Sequence, residues 1–141
     1  MKYFMISLLL LGAALYTFTA IAKQKPQQGY LHEQERNIAI TEEGPHQGGG
    51  NTIAYRFFKN AVDSKLQFTK RILHPGSAIG YHLQKEEEIY YIISGTGEMT
   101  MNGKMFTVQA GDAILTFGGS SHGLKQVGKE DLVMIINYEK K

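Results

Sequence analysis

Cysteine is absent from the 141 residues. That excludes a disulfide framework and a lipid-attachment cysteine, so a mature form has to be held by its core alone. Charge of either sign is also scarce: 15 Lys and Arg stand against 13 Asp and Glu, for a formal net charge of +2. So weak a balance gives no electrostatic case for nucleic acid or an anionic membrane surface as partner. The chain shows no helical period of any length, no internal repeat and no low-complexity segment. It carries neither a serine nucleophile with a neighbouring base nor a phosphate-cradling loop.

The one long apolar run comes first. Lys2 precedes an apolar stretch from Tyr3 to Leu15, and Ala20-Ile21-Ala22 has the small-x-small form of a signal-peptidase site. The reading is a signal peptide over residues 1–22 and export to a periplasm or beyond, with no membrane association after cleavage. Residues 3–22 are just long enough to span a bilayer as an uncleaved anchor; Thr17, Thr19 and the cleavage site argue against it. Cleavage removes Lys2 and no acid, which takes the charge from +2 to +1. What is left is enough for one domain with a real core and too little for two. Residues 23–36 are polar, with Pro26 and several glutamines, and read as a tether; residues 37–141 are the domain.

Within that domain a short candidate strand at 37–41 is followed by a loop over 42–51, marked by Gly44-Pro45 and Gly48-Gly49-Gly50. Short β-rich runs separated by turns then occupy 52–58, 66–73, 79–83, 88–94, 97–101, 104–109, 113–117, 123–127 and 132–138. This spacing points to an all-β, antiparallel barrel or sandwich. Asn102-Gly103 is a two-residue hairpin signal, Gly111-Asp112 marks a turn before a strand, and Gly95-Thr96-Gly97 reads as a hairpin turn. The run Ile89-Tyr90-Tyr91-Ile92-Ile93 is apolar on both faces. If Glu88 points inward, so do Tyr90 and Ile92, and Ile89, Tyr91 and Ile93 need a cover. A homodimer supplies one; the chain's own N-terminal strands are the alternative.

His82, Gln84, Glu88 and His122 have the spacing of four donors converging on one metal ion. With alternate side chains on one face and a rise of about 3.3 Å per residue, His82 and Gln84 point the same way, roughly 6.6 Å apart. Lys85-Glu86-Glu87 turns the chain, and Glu88 opens a returning strand that brings a carboxylate back beside the imidazole. A later strand, after Gly118-Gly119-Ser120-Ser121, brings His122 across the barrel. His32, His46 and His74 sit in the tether, the glycine-rich loop and a turn, and are left without a role.

Gly76-(five residues)-His82-x-Gln84-(three residues)-Glu88-(six residues)-Gly95 resembles the first cupin motif, in which a second histidine usually stands where this chain has Gln84. Gly111-(five residues)-Phe117-x-Gly119-(two residues)-His122-(three residues)-Gln126 is similar to the second, with Phe117 in the place of proline and Gln126 in the place of asparagine. The resemblance implies a single-domain cupin-type β-barrel, a double-stranded β-helix or jelly roll, with His82, Gln84, Glu88 and His122 around one divalent transition metal: Fe, Mn, Ni, Cu or Zn. Only Glu88, and neither Glu86 nor Glu87, satisfies both the three-residue and the six-residue gap. If Gln84 is not a ligand, the two imidazoles and one carboxylate make the triad associated with non-haem Fe(II).

By strand parity Tyr90, Met99, Met101 and Gln126 line the interior, with Tyr90 the candidate proton donor beside Glu88. Lys70 or Arg71 is a candidate to present a positive group to an acidic substrate, the alternative being a solvated charge pair at a strand end. The function expected is an exported, metal-binding cupin acting on a small organic molecule by oxygenase, isomerase or lyase chemistry. The alternatives are a non-catalytic module that binds a sugar or another small molecule, and a structural or partner-binding barrel; the fold does not choose among them.

Overall fold

A computed structural model describes residues 29–140; the signal segment 1–22 and the start of the tether, 23–28, lie outside the described residues. A 3-10 turn at Glu35–Asn37 leads into ten strands: β1 Ala39–Glu42, β2 Thr52–Phe57, β3 Leu66–Leu73, β4 Ala78–Leu83, β5 Glu88–Ser94, β6 Thr96–Met101, β7 Lys104–Gln109, β8 Ala113–Thr116, β9 Ser121–Val127 and β10 Leu132–Glu139. They form two antiparallel sheets, one in the order β1-β2-β3-β10-β5-β8 and the other β4-β9-β6-β7. The all-β, jelly-roll reading holds.

Alternation along the strands builds the core. On β5, Glu88, Tyr90 and Ile92 are buried while Ile89, Tyr91 and Ile93 are exposed. On β10, Leu132, Met134 and Ile136 face in. Leu73 of β3, Met99 of β6 and Leu124 of β9 pack with them between the sheets. Glu33 accepts a hydrogen bond from the Phe58 backbone N–H at 2.7 Å, and Glu35 pairs with Lys70 at 2.7 Å, so the segment before β1 is tied to β3 and to the residue that follows β2.

Two turn expectations separate here. Asn102-Gly103 does close a two-residue hairpin between β6 and β7, with φ of 48° and 78°, the positive pair that a type I′ turn requires. Gly95-Thr96-Gly97 does not close a hairpin, because β5 and β6 belong to different sheets. Gly95 alone carries the chain from one sheet to the other, at φ 81°, where a Cβ would strike the Asp131 carbonyl. A glycine spacing that fits a hairpin fits a sheet crossing equally well.

Candidate functional site

The four motif residues do gather at one end of the space between the sheets, by a different route from the expected one. Glu88 does not return beside β4: it enters from the facing sheet on β5. His122 does not come from across the barrel either, since β9 is the direct neighbour of β4 and His82 is the register partner of His122. The imidazoles are therefore side by side on one sheet, with their ring centroids 4.6 Å apart, and the carboxylate meets them from the other. A register shift between Ile79 and His82 makes this possible. The two stand three positions apart, so strict alternation would turn one outward, yet Ile79 and His82 both reach the interior cavity. The irregularity at Gly80-Tyr81 re-aims the histidine, as bulges beside functional sites often do.

His122 is fully buried, and Glu88 is 5 % exposed. Glu88 Oε2 lies 3.2 Å from His122 Nε2, and the Tyr90 hydroxyl is 3.1 Å from the same nitrogen. Burial, and after it the negative charge of Glu88, push the Tyr90 phenol well above its usual pKa, so it stays protonated. His82 Nδ1 donates to the Gly80 carbonyl at 2.8 Å. Since a carbonyl only accepts, the proton sits on Nδ1 and the Nε2 lone pair is left for another partner. Gln84 is buried and lines the same cavity; its backbone pairs with Ser120 and Gly119.

The cavity measures about 340 Å³, and Arg56, Lys59 and Arg71 line it together with Glu86 and Glu88; Arg56 and Arg71 stand on β2 and β3, in the same sheet as Glu88. Between Lys70 and Arg71, the inward residue is Arg71. It is 4 % exposed, and its guanidinium donates to Thr52 Oγ1 and to Glu42 Oε1, each at 2.9 Å. Lys70 points to the other face, against Glu35 and the Tyr55 ring. Met99 and Gln126 are buried but are not among the residues lining the cavity, nor is Met101. Gln126 spends its amide on the backbone of Gly76, Val127, Gly128 and Glu130. The residue missed altogether is His46, whose ring stacks on His82 at 3.5 Å and 7°. His74 is paired with Asp131 at 2.8 Å, away from the cavity.

The donors suit a divalent ion by three observations. Glu88 Oε2 is buried without a hydrogen-bond partner. A buried polar atom left unpaired calls for an explanation such as an ion or a water. Two donors each about 2.1 Å from one ion, a quarter turn apart, stand about 3 Å from each other, close to the 3.2 Å between Glu88 Oε2 and His122 Nε2. The Nδ1–H to carbonyl bond of His82 is the arrangement that fixes ligating imidazoles. Among the described residues, no group of three or more His, Cys, Asp and Glu side chains is already placed to hold an ion, so closing the set requires side-chain movement.

Comparison with known proteins places the fold in a lineage. The cupin domain family matches residues 70–138. An oxalate-binding protein of Thermotoga maritima is 39% identical over 82 residues, 57% of this chain and 68% of that one. The chain belongs to the cupin family. A solved structure from Thermotoga maritima, described as a predicted oxalate decarboxylase, is 30% identical and superposes with a TM-score of 0.71 over 79% of this chain and all of that one. A 5-nitrosalicylic acid 1,2-dioxygenase of Bradyrhizobium is 25% identical over 69 residues, 49% of this chain but 33% of that longer protein. The names of these relatives differ, and a shared fold does not set a reaction.

Proposed function

We propose that this cupin holds one divalent transition metal, Fe, Mn, Ni, Cu or Zn, through Glu88, His122 and His82, with Gln84 at its margin, and acts there on a small carboxylic acid of the oxalate class. The observation that carries the reading is Arg71, a buried guanidinium on the wall of the same cavity as Glu88. Glu42 offsets only part of the positive charge, because Arg56 and Arg71 share that one carboxylate. A buried guanidinium held in a fixed plane suits a carboxylate. The names of the Thermotoga relatives agree with an acidic ligand.

The ion, when bound, supplies Lewis acidity to a ligand oxygen. The chain's residues do the rest. Arg71 orients the anion, and Tyr90 holds a proton next to His122. Capture of the acid without turnover is the second reading, favoured by the oxalate-binding relative. Export with cleavage after Ala22 belongs to the same proposal and rests on the N-terminal sequence, as does a homodimer on the exposed face of β5.

Elemental analysis followed by calorimetric titration tests this. One equivalent of metal is expected, with oxalate binding the loaded protein and the uncharged diamide oxamide not binding. A protein that takes up none of the five ions overturns the metal centre, and equal affinity for oxalate and oxamide overturns the acidic ligand. Loss of oxalate over time, abolished in Glu88→Gln, decides for the enzyme.

A further inference from the structure

Residues 43–51, between β1 and β2, run along the open edge of β4 as a strap. The Gly80 N–H donates to the Pro45 carbonyl at 2.9 Å and the Ala78 N–H to the Gly49 carbonyl at 3.4 Å. The approach is backbone to backbone. A Cβ on Gly44 or Gly48 would run into the Ala78 carbonyl, and one on Gly80 into the carbonyl of His46. Within the strap His46 and Gln47 both adopt the left-handed region, at φ 54° and 61°. Non-glycine residues pay for that conformation and keep it only where their surroundings enforce it, often at functional sites.

The strap delivers the His46 ring face to face onto His82, at 3.5 Å between centroids and 7° between planes. Aromatic rings left to themselves prefer offset or edge-on contact, so this overlap is imposed by the backbone. Gly80 joins both restraints on His82: its carbonyl holds Nδ1, and its N–H anchors the strap that carries His46.

We infer that His46 is a positioning residue that fixes the ring plane of His82 and so aims its free Nε2. It does not share an ion with His82 in this arrangement. The in-plane lone pairs of two parallel rings 3.5 Å apart run side by side and do not converge. The inference rests on the metal reading above for its purpose, while the stack itself is measurable without metal.

The experiment is ¹⁵N spectroscopy of histidine in the full chain, first metal-free and then titrated with Zn²⁺ and Mn²⁺, for the parent, His46→Ala and His46→Phe. In the parent, His82 is expected as a single Nδ1–H tautomer. His46→Ala should give a mixed, exchanging signal and at least a tenfold loss of metal affinity, and His46→Phe, which keeps a flat ring but no nitrogen, should restore both to within threefold. Should alanine unfold the strap, His46→Leu keeps the bulk without a flat face and takes its place. An unchanged His82 signal in His46→Ala overturns the inference, as does a phenylalanine variant as impaired as the alanine one. If His82 responds as expected but the parent binds neither ion, the metal reading falls and the positioning role stands; a parent that binds while His46→Ala changes nothing gives the reverse.

Discussion

The two faces of β5 are written in one apolar run and meet opposite fates. Inward, Glu88, Tyr90 and Ile92 are buried, and the first two stand against His122. Outward, Ile89, Tyr91 and Ile93 keep 45%, 48% and 44% of their surface in solvent, and Leu115 of the neighbouring β8 keeps 48%. Hydropathy therefore does not report which face is the core. Parity does, once a single residue of the strand is anchored, and the charged Glu88 is the residue that anchors it.

The largest break in this comparison is Ile92→Ala, which removes a fully buried side chain and is expected to cost about 2–5 kcal/mol in chemical denaturation. Next is Tyr90→Phe, which takes away the hydroxyl beside His122 Nε2; about 0.5–1.5 kcal/mol is expected for the lost hydrogen bond, since Glu88 stays beside that nitrogen. On the outer face Ile93→Ala should change the stability of a monomer by less than about 0.5 kcal/mol. A larger cost that grows with protein concentration would mark a partner copy on this face. Tyr91→Glu sharpens the same point: with a dimer, light scattering should show its mass halve while the far-ultraviolet dichroism is unchanged.

The last effect is read as a pH dependence and lies beside Arg71, in the same sheet as β5. Burial pushes the Glu42 carboxyl up, but hydrogen bonds and charge from Arg56 and Arg71 together outweigh it and hold its pKa below the ordinary value of 4.5. A carboxylate with a depressed folded pKa contributes stability above its unfolded pKa and loses it as pH falls through the folded one. Glu42→Gln should therefore flatten the decline of stability with acid below about pH 4.5 and leave the slope near neutrality unchanged, as read from denaturation midpoints over a pH series.

Much of the fold was legible because turns and alternation are local. The Asn102-Gly103 hairpin, the loop over 42–51 and the inward set Glu88, Tyr90 and Ile92 follow from residues within a few positions of each other. The site was legible as a list of residues and not as an arrangement. Nothing near His82 or His122 says that β4 and β9 are neighbours, and nothing in Gly95 says that the chain changes sheet there. The choice between Lys70 and Arg71 turned on parity relative to a partner strand, where one anchored contact decides it. His46 was passed over because a histidine among glycines looks like surface loop. The glycines themselves were the only local signal, since so many in a row allow a backbone to lie close against another.

By itself the sequence determined that this chain is an all-β domain without disulfides, which residues carry metal-type donors, and which faces of its strands are apolar. Those properties are set by the side chains and by the period of two along a strand. Tertiary structure alone decided that the two imidazoles share a sheet, that the carboxylate and the phenol face them from the other, that Arg71 lines the same cavity and that His46 lies flat on His82. Each of these depends on strand order, on a register shift or on a strap crossing an edge, and such pairings join residues too far apart along the chain for local chemistry to specify.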